Sequence, residues 1–492
     1  MAFGLKEHER LRKSVQDAMI ALPMNAIYLN SRTGVKLQFD GSDGNPHVRY
    51  LDPMASSAIA NALVPMGGII YRGGHGGGKT TLAQKVAYMV TGIPESEHGY
   101  ISGNDDQNVS TLIGAFKTGK LITTGEEEVV WRRFVTSPVK IVDELNRFPP
   151  PAQNALFRLL NKGVAEFVDY ETRVEDFILM ATENPNDPGT YPLSRPFVDR
   201  FGLCIPAPQI ASAQDQYALL ERPDEKLAGL KADKKLSWEE LKKLRKMVSE
   251  DVDLDPETKI YAIYLTQAIS TCIRADGNDK SHNALHIPDR CKGCHFDTAN
   301  SLCQMTQTGI SGRAAIDLQR YAKAYAWVAD AFADPQHPSV QPSILEAVAP
   351  YAFFHRLEPN ETRLKENGGS GAVGAEFKYV SSVVARASQG YAGVRDVLVE
   401  DFPAIIGGDK EFEGSKLQDA ANGDLVLQTQ FVPLAKQASA PEFRSFMKTL
   451  QKDLSEGELM DISRQIMFGS ELEPEAKERL MSEVRKQNSK KK

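Results

Sequence analysis

The sequence predicts an α/β fold with a parallel sheet in its first half, followed by a mostly helical second half. Three observations lead to this prediction. A short apolar run at residues 68–71 stops abruptly in glycines, as a buried strand does when it enters a phosphate-binding loop. Between residues 82 and 180 strand-like and helical patterns alternate, which is typical of a parallel sheet flanked by helices. From about residue 236 onward the pattern is helical.

The composition limits the class of protein. The chain has 492 residues, of which 41% are hydrophobic and 25% charged. This is enough apolar material for a folded core, and the length suggests about three domains. The 58 basic and 65 acidic side chains give a net charge of −7, so the chain has no global basic field for nucleic acid. It has no apolar run long enough to span a membrane and no secretion signal, so we expect a cytoplasmic protein with no membrane partner.

Local patterns predict the individual elements. Predicted helices cover 5–22, 153–163, where a glycine ends the helix, and 312–333. Ser237 and Glu240 form a capping-box pattern at the start of a further helix. The runs 138–144 and 176–182 are typical of buried strands.

A phosphate loop follows the first of the core strands. Residues 73–80 are GGHGGGKT and fit the pattern G-x-x-x-x-G-K-[ST] between a strand and a helix. Glycines let backbone N–H groups surround phosphates, and the N-terminus of the following helix favours negative charge. We expect Lys79 to reach the β- and γ-phosphates of ATP and Thr80 to ligate Mg²⁺. The predicted nucleotide-binding residues are Gly73, Gly74, His75, Gly76, Gly77, Gly78, Lys79, Thr80, Thr81 and Asp143.

Two further strands end in polar residues that suit nucleotide hydrolysis. The run VKIVDE ends in adjacent carboxylates, of which Asp143 would hold Mg²⁺ through water and Glu144 would polarise the attacking water. Asn184 directly follows the strand DFILMAT. If the two strands are parallel neighbours, its amide lies near the γ-phosphate and the water.

These motifs, taken in chain order, resemble the MoxR-type AAA+ ATPases of the helix-two-insert clade. The resemblance covers about residues 50–210 and resumes over 236–357. It implies an AAA+ core with a helical lid, and a homo-oligomer that is usually a hexameric ring. It also implies a protein client, for which the family suggests a von Willebrand A-domain protein. The segments that carry it are GGHGGGKT, IVDELNRFPPPAQNALFRLLNKG, ATENPNDPGTYPLSRPFVDRF and SGRAAIDLQRYAKAYAW.

The resemblance also implies roles for single residues. Arg200 matches the arginine finger that is supplied to the neighbouring subunit's ATP, with Arg195 as the alternative, and Arg313 matches the lid arginine that senses the γ-phosphate. Residues 114–137 match the insert in the second core helix, and 163–176 match the β-hairpin before the strand that carries Asn184. Both segments point toward the pore in relatives. His75 and the extra glycines depart from the family's common GPPGTGKT.

The chain divides, on this interpretation, into four parts. They are an AAA+ core at 1–210, a linker at 211–235, a helical lid at 236–357 with a Cys-rich insertion at 272–308, and a helical C-terminal region at 358–492.

The insertion in the lid carries a predicted metal site. Its ligands would be Cys272, Cys291, Cys294 and Cys303, where Cys291 and Cys294 form a C-x₂-C knuckle. Four thiolates suit structural Zn²⁺, with an iron–sulfur cluster as the second choice. A polar segment of this kind would gain its folding free energy from the metal.

Three functions stay open at this point. The first is an ATP-driven machine that remodels or matures a partner protein or complex. The second is a nucleic-acid-stimulated motor or the ATPase subunit of a defence-type nuclease. It would depend on Lys117, Lys120, Arg132 and Arg133, but Glu126, Glu127 and Glu128 lie beside them, so we do not expect a nucleic-acid partner. The third is a nucleotide-gated assembly scaffold.

Overall fold

The structure is a computed structural model without ligands. It describes residues 5–24, 34–104, 106, 108–207, 213–220, 234–270, 302, 305–306, 309–366, 372–421, 423–424, 426–450, 452, 454–470, 472 and 474–490. The four cysteines of the predicted metal site lie outside this set. Contacts divide the chain into two compact units, one formed by 1–262 with 310–384 and the other by 263–309 with 385–492.

The strands are short and belong mostly to the first half of the chain. In order they are β1 (Val35–Asp40), β2 (Pro46–Leu51), β3 (Gly67–Arg72), β4 (Gly99–Ser102), β5 (Gly114–Phe116), β6 (Val129–Trp131), β7 (Val139–Asp143), β8 (Val164–Phe167), β9 (Tyr170–Arg173), β10 (Ile178–Glu183), β11 (Leu203–Pro206), β12 (Asp253–Leu254) and β13 (Ser339–Val340).

Helices connect the strands and make up most of the remainder. Those of the first half are α1 (Leu5–Met24), α2 (Pro53–Leu63), α3 (Lys79–Thr91), α4 (Val109–Leu112), α5 (Thr118–Thr124), α6 (Arg133–Thr136), α7 (Pro150–Lys162), α8 (Arg195–Val198), α9 (Ala213–Leu220) and α10 (Trp238–Asp251). The later helices are α11 (Pro256–Ser270), α12 (Gly312–Ala329), α13 (Pro342–Phe353), α14 (Glu361–Glu366), α15 (Val373–Asp396), α16 (Phe402–Gly407), α17 (Lys416–Ala421), α18 (Val432–Ser439), α19 (Pro441–Leu450), α20 (Glu456–Arg464) and α21 (Pro474–Lys490).

A five-stranded parallel sheet forms the centre of the first unit. Its strand order is β11-β3-β10-β7-β4, and every neighbouring pair is parallel. Strand β10 is buried along its whole length, and helix α2, whose residues are all buried, packs on β3, β10 and β11. The predicted parallel-sheet core is therefore confirmed.

The local sequence explains where several elements begin and end. Helix α7 starts three residues before the predicted 153, because Pro150 and Pro151 occupy its first turn, where a missing N–H costs nothing. The same helix stops at Gly163, which adopts φ 63°. The capping box at the start of α10 is present, with the Ser237 hydroxyl accepting from the Glu240 N–H.

Two antiparallel hairpins extend from the core. One pairs β5 with β6 and carries α5, and the other pairs β8 with β9. These hairpins correspond to the predicted insert 114–137 and hairpin 163–176. The Phe116 ring lies 5.3 Å from Phe167 and 6.0 Å from Tyr170, and the Tyr170 hydroxyl donates to Glu127 Oε2 at 3.2 Å. Aromatic packing therefore joins the two hairpins.

The described residues of the second unit are mostly helical. An apolar cluster of α19, α20, α21 and the turn after α20 includes Phe443, Leu450, Leu459, Ile466 and Leu480, all of them buried. Among the residues that the structure describes, no helix combines the length and the apolar character that crossing a bilayer requires.

A buried lysine ties the insert to the sheet. Lys140 on β7 is 0% exposed, and its Nζ donates to the carbonyl oxygens of Phe134 at 2.5 Å, Val135 at 3.0 Å and Ser137 at 2.8 Å. These carbonyls close helix α6, whose end would otherwise leave them without partners. Burial lowers the pKa of Lys140 to about 7.

The variant Lys140→Met should change how stability depends on pH. The unfolded chain keeps this proton to about pH 10.4, whereas the folded chain releases it near 7. Between these values the unfolded state binds more protons, so the free energy of unfolding of the wild type should rise with pH relative to the variant, by about 1 kcal/mol per pH unit. Urea denaturation at several pH values measures this, with the exposed Lys162→Met as control. Parallel curves for wild type and Lys140→Met would contradict it.

Candidate nucleotide-binding site

Glycines shape the loop between β3 and α3. The Gly73 N–H donates to the Glu183 carbonyl at 3.0 Å, and a Cβ on Gly73 would come within 2.4 Å of the Ala207 carbonyl oxygen. Gly78 caps α3 with φ 75°, a left-handed conformation that favours glycine. The loop therefore follows a path that side chains at these two positions would obstruct.

Lys79 is buried at the start of α3. Its Nζ donates to the carbonyl oxygens of Gly73 at 3.0 Å and Gly74 at 2.5 Å. Burial lowers the pKa of Lys79, while the charges of Asp143 and Glu144 oppose that shift. The ammonium is therefore held inside the loop, beside two carboxylates.

Three hydroxyl groups converge on the Asp143 carboxylate at the end of β7. Thr80 Oγ1 donates to Asp143 Oδ1 at 2.7 Å, and Thr182 Oγ1 donates to the same oxygen at 2.6 Å. The Tyr100 hydroxyl donates to Oδ2 at 3.1 Å, and burial, followed by the charge of Asp143, raises the pKa of Tyr100 to about 12. Threonine and carboxylate oxygens are ligands that Mg²⁺ prefers, so Thr80 and Asp143 fit the predicted ion.

Glu144 adopts an unusual backbone conformation. Its φ of 53° is left-handed although it is not glycine, and its N–H donates to Thr182 Oγ1 at 2.9 Å. Such a conformation costs roughly 1–3 kcal/mol and persists where surrounding contacts fix it, often at functional sites. Its carboxylate lies 3.1 Å from Arg147 Nη1.

His75 and Asn184 meet across the cavity. Asn184 Nδ2 lies 2.6 Å from His75 Nε2, and the Asn184 carbonyl accepts from Asn146 Nδ2 at 2.8 Å. His75 Nδ1 lies 3.7 Å from Glu144 Oε1. The predicted Asn184 is thus beside the loop and beside Glu144, as the strand order requires.

His75, Glu144 and Asp187 also lie close enough together to share one metal ion. Both carboxylates already pair with Arg147, which donates through Nε to Asp187 Oδ2 at 2.8 Å. Ion pairing of the two carboxylates with Arg147 therefore explains why Glu144 and Asp187 lie close together, without a metal ion.

The described cavity has a volume of about 170 Å³. Its lining residues are His75, Gly76, Gly77, Gly78, Lys79, Thr80, Thr81, Asp143, Glu144, Thr182, Glu183 and Asn184. The predicted Gly73 and Gly74 lie at the start of the same loop, where their carbonyls hold Lys79.

The two predicted arginines meet elsewhere and do not line this cavity. Arg200 Nη1 lies 3.6 Å and Arg313 Nε 3.9 Å from the same oxygen, Asp199 Oδ2. Arg195, the alternative finger, forms an ion pair with Glu358.

Sequence reasoning missed several residues of the site. Thr182 could have been found from the register of the sheet, since β10 and β7 are neighbours and its hydroxyl lies directly beside Asp143. Arg147 and Asp187 lie in segments that carry the resemblance, but no role was predicted for them, and Tyr100 lies in no motif; the partners of Tyr100 and Arg147 come from other elements. Cys204, on β11, is the one cysteine among the described residues. It is buried, and burial raises the pKa of its thiol to about 12.

Parts of this chain are similar to a known domain family and to solved structures. Residues 68–201 match the family model of the AAA domain, dynein-related subfamily. The chain is similar to a crystal structure from Cytophaga hutchinsonii, of a protein named for an inferred ATPase activity. The TM-score is 0.56 and the sequence identity 19%, and the match covers 77% of this chain and 96% of that chain. A full-length MCM homologue from Methanopyrus kandleri is similar at a TM-score of 0.36 and 11% identity, over 62% of this chain and 56% of that chain. No curated protein sequence matches the chain. Residues 68–201 therefore form an AAA domain, a domain of the AAA ATPase family.

Proposed function

We propose that this chain binds ATP with Mg²⁺ in the described cavity and hydrolyses it at an interface between identical subunits. The observation that carries the proposal is the convergence of Lys79, Thr80, Asp143 and Glu144 on one cavity at the ends of parallel strands. A lysine, a hydroxyl and two adjacent carboxylates are the groups that phosphate binding, metal binding and water activation require.

Five residues of the cavity have distinct parts in the proposed reaction. Lys79 leaves the carbonyls of its own loop and binds the β- and γ-phosphates. Thr80 and Asp143 would hold Mg²⁺, which neutralises phosphate charge when bound. Glu144 accepts the proton of the attacking water, and this requires that it exchange its ion pair with Arg147 for the water. The Asn184 amide contacts the γ-phosphate or the water.

Two arginines would complete the site from a neighbouring subunit. Arg200 and Arg313 point toward Asp199 and do not line the cavity of their own chain. A contact in which one face of a subunit meets a different face of the next forms a ring where the rotation between subunits closes, and a filament where it does not. This supports Arg200 as an arginine finger between subunits of a homo-oligomer, and the resemblance to MoxR-type AAA+ ATPases supports a hexameric ring. Since Arg313 shares the carboxylate of Asp199, we propose that it acts on the same neighbouring nucleotide.

The client of this ATPase is proposed to be another protein. The resemblance to MoxR-type AAA+ ATPases supports a chaperone role in the cytoplasm, in which hydrolysis remodels or matures a partner such as a von Willebrand A-domain protein. The hairpins β5–β6 and β8–β9 are packed on one another through Phe116, so they would move as one element toward a client.

The pairing of the basic residues in the insert disfavours the nucleic-acid alternative. Lys120 lies 3.1 Å from both Glu126 and Glu128, and Lys117 lies 3.6 Å from Glu128. Arg132 and Arg133 donate to backbone carbonyls. Hydrolysis stimulated by nucleic acid and lost in Lys120→Glu would favour that alternative. Near-zero turnover with intact ATP-dependent assembly would favour the scaffold.

We propose a structural Zn²⁺ bound by Cys272, Cys291, Cys294 and Cys303, on the strength of their spacing in the sequence. Elemental analysis of the purified chain should find about one zinc per subunit. Cys291→Ser with Cys294→Ser should lose it, whereas Cys204→Ser should keep it. Iron and sulfide in place of zinc would establish the iron–sulfur alternative, and no metal would contradict the site.

Three variants should separate binding from hydrolysis. Lys79→Ala should lose ATP binding because it removes the phosphate-binding ammonium. Glu144→Gln should bind ATP normally and hydrolyse it about 10²–10⁴-fold more slowly. Arg200→Ala should also bind ATP, with hydrolysis about 10³–10⁵-fold slower. Fluorescent-nucleotide binding and phosphate release measure the two steps.

The matched control for Arg200 is Arg158→Ala. Arg158 is an arginine of α7 that pairs with Glu166 and lies outside the proposed site, so its loss should leave both steps unchanged. An Arg200→Ala protein with wild-type hydrolysis would contradict the proposed interface.

A further inference from the structure

A buried arginine lies behind the turn that carries Arg200. Arg356 follows helix α13, and its side chain is 1% exposed. It donates through Nε to Asp199 Oδ1 at 3.0 Å and through Nη2 to the Asp199 carbonyl at 3.0 Å, the Phe201 carbonyl at 2.8 Å and Asp317 Oδ2 at 2.5 Å. One guanidinium therefore fixes both the side chain and the backbone of the 199–201 turn.

The two oxygens of Asp199 face different partners. Oδ1 accepts from Arg356 and, at 2.8 Å, from the Ser311 hydroxyl. Oδ2 is the oxygen nearest to Arg200 and Arg313. Because Oδ1 is held by hydrogen bonds, the orientation of the carboxylate is set, and the negative charge of Oδ2 lies between two arginines.

The guanidinium groups of Arg200 and Arg313 carry like charges, and the Asp199 carboxylate near both of them offsets their repulsion. Burial and the neighbouring charge of Arg313 lower the pKa of Arg200, and Asp199 opposes this shift. The Arg200 guanidinium also lies over the Phe157 ring at 5.0 Å. Its Nε is buried and has no hydrogen-bond partner among the described residues.

We propose that Asp199 and Arg356 are positioning residues that present Arg200 and Arg313 together to a single nucleotide phosphate group. This inference rests on the proposed function of Arg200 as a finger for the neighbouring subunit. Arg313, Asp317 and Arg356 all belong to the lid, so the position of the lid sets the position of the finger.

The variants Arg356→Met and Asp199→Asn test the positioning role. Displacing a catalytic group by about 1 Å can lower a rate about 100-fold, so we expect kcat to fall by about that factor in Arg356→Met while ATP affinity stays at the wild-type value. Asp199→Asn keeps an acceptor for Arg356 but removes the charge between the arginines, and it should lower kcat in the same way.

Arg245→Met is the matched control for loss of a buried arginine. Arg245 lies on α10, its side chain is 2% exposed, and it pairs with Asp176 and the Ala62 carbonyl away from Asp199. It should lose stability as Arg356→Met does but keep kcat once folded. An equal loss of kcat in both variants would mean that Arg356 acts through stability alone and would overturn the proposal.

Mixed rings separate this inference from the proposed function. Arg356→Met subunits keep an intact Glu144, and Glu144→Gln subunits keep an intact arginine pair. Mixing them before assembly should restore hydrolysis at about a quarter of the interfaces in a random equimolar ring. If Arg200→Ala mixed with Glu144→Gln fails to recover, the proposed interface is wrong. If the Arg200→Ala mixture recovers hydrolysis but the Arg356→Met mixture does not, the positioning role is wrong. It is also wrong if Arg356→Met alone keeps full kcat.

Discussion

The parallel order of three neighbouring strands is the constraint on which the nucleotide site depends. Strands β3, β10 and β7 run side by side in one direction, so their carboxyl ends meet at one edge of the sheet. The phosphate loop leaves β3 there, Asp143 and Glu144 leave β7, and Asn184 leaves β10. Thr182, on the middle strand, hydrogen-bonds to both Asp143 and the backbone of Glu144. A shift of β10 by one residue would turn Thr182 to the other face of the sheet and remove both of these hydrogen bonds.

Buried charged side chains connect this part of the core to neighbouring elements. Lys140 holds the end of the hairpin insert against β7, three residues before Asp143. Arg356 holds the 199–201 turn against Asp317 of α12. Removing one partner of such a contact leaves an uncompensated buried group, which costs far more than the contact itself stabilises. The end of the hairpin insert is therefore tied to β7, and the 199–201 turn is tied to α12.

Much of this site could be predicted from the sequence because its parts are local. The loop, the carboxylates after β7 and Asn184 after β10 each have a short motif next to an apolar strand, and the sheet brings them together as expected. The residues that orient them could not be predicted in this way. Tyr100 reaches Asp143 from another strand, His75 reaches Asn184 across the cavity, and Arg356 reaches Asp199 over a sequence separation of 157 residues. Such contacts depend on how whole elements pack, which no local pattern records. The cysteine site stays a prediction from spacing, because its residues lie outside those that the structure describes.

The central claim is that the ATP-bound chain acts on another protein. The most direct test is to purify Glu144→Gln from its native cell in ATP and in ADP and to identify what accompanies it, with Lys79→Ala as the control that cannot bind nucleotide. The account predicts a protein partner that is retained in ATP only, and whose assembly or activity changes when the wild-type chain hydrolyses ATP. Nucleic acid or a nuclease retained in its place, or the same set of partners in ATP, in ADP and with Lys79→Ala, would contradict it.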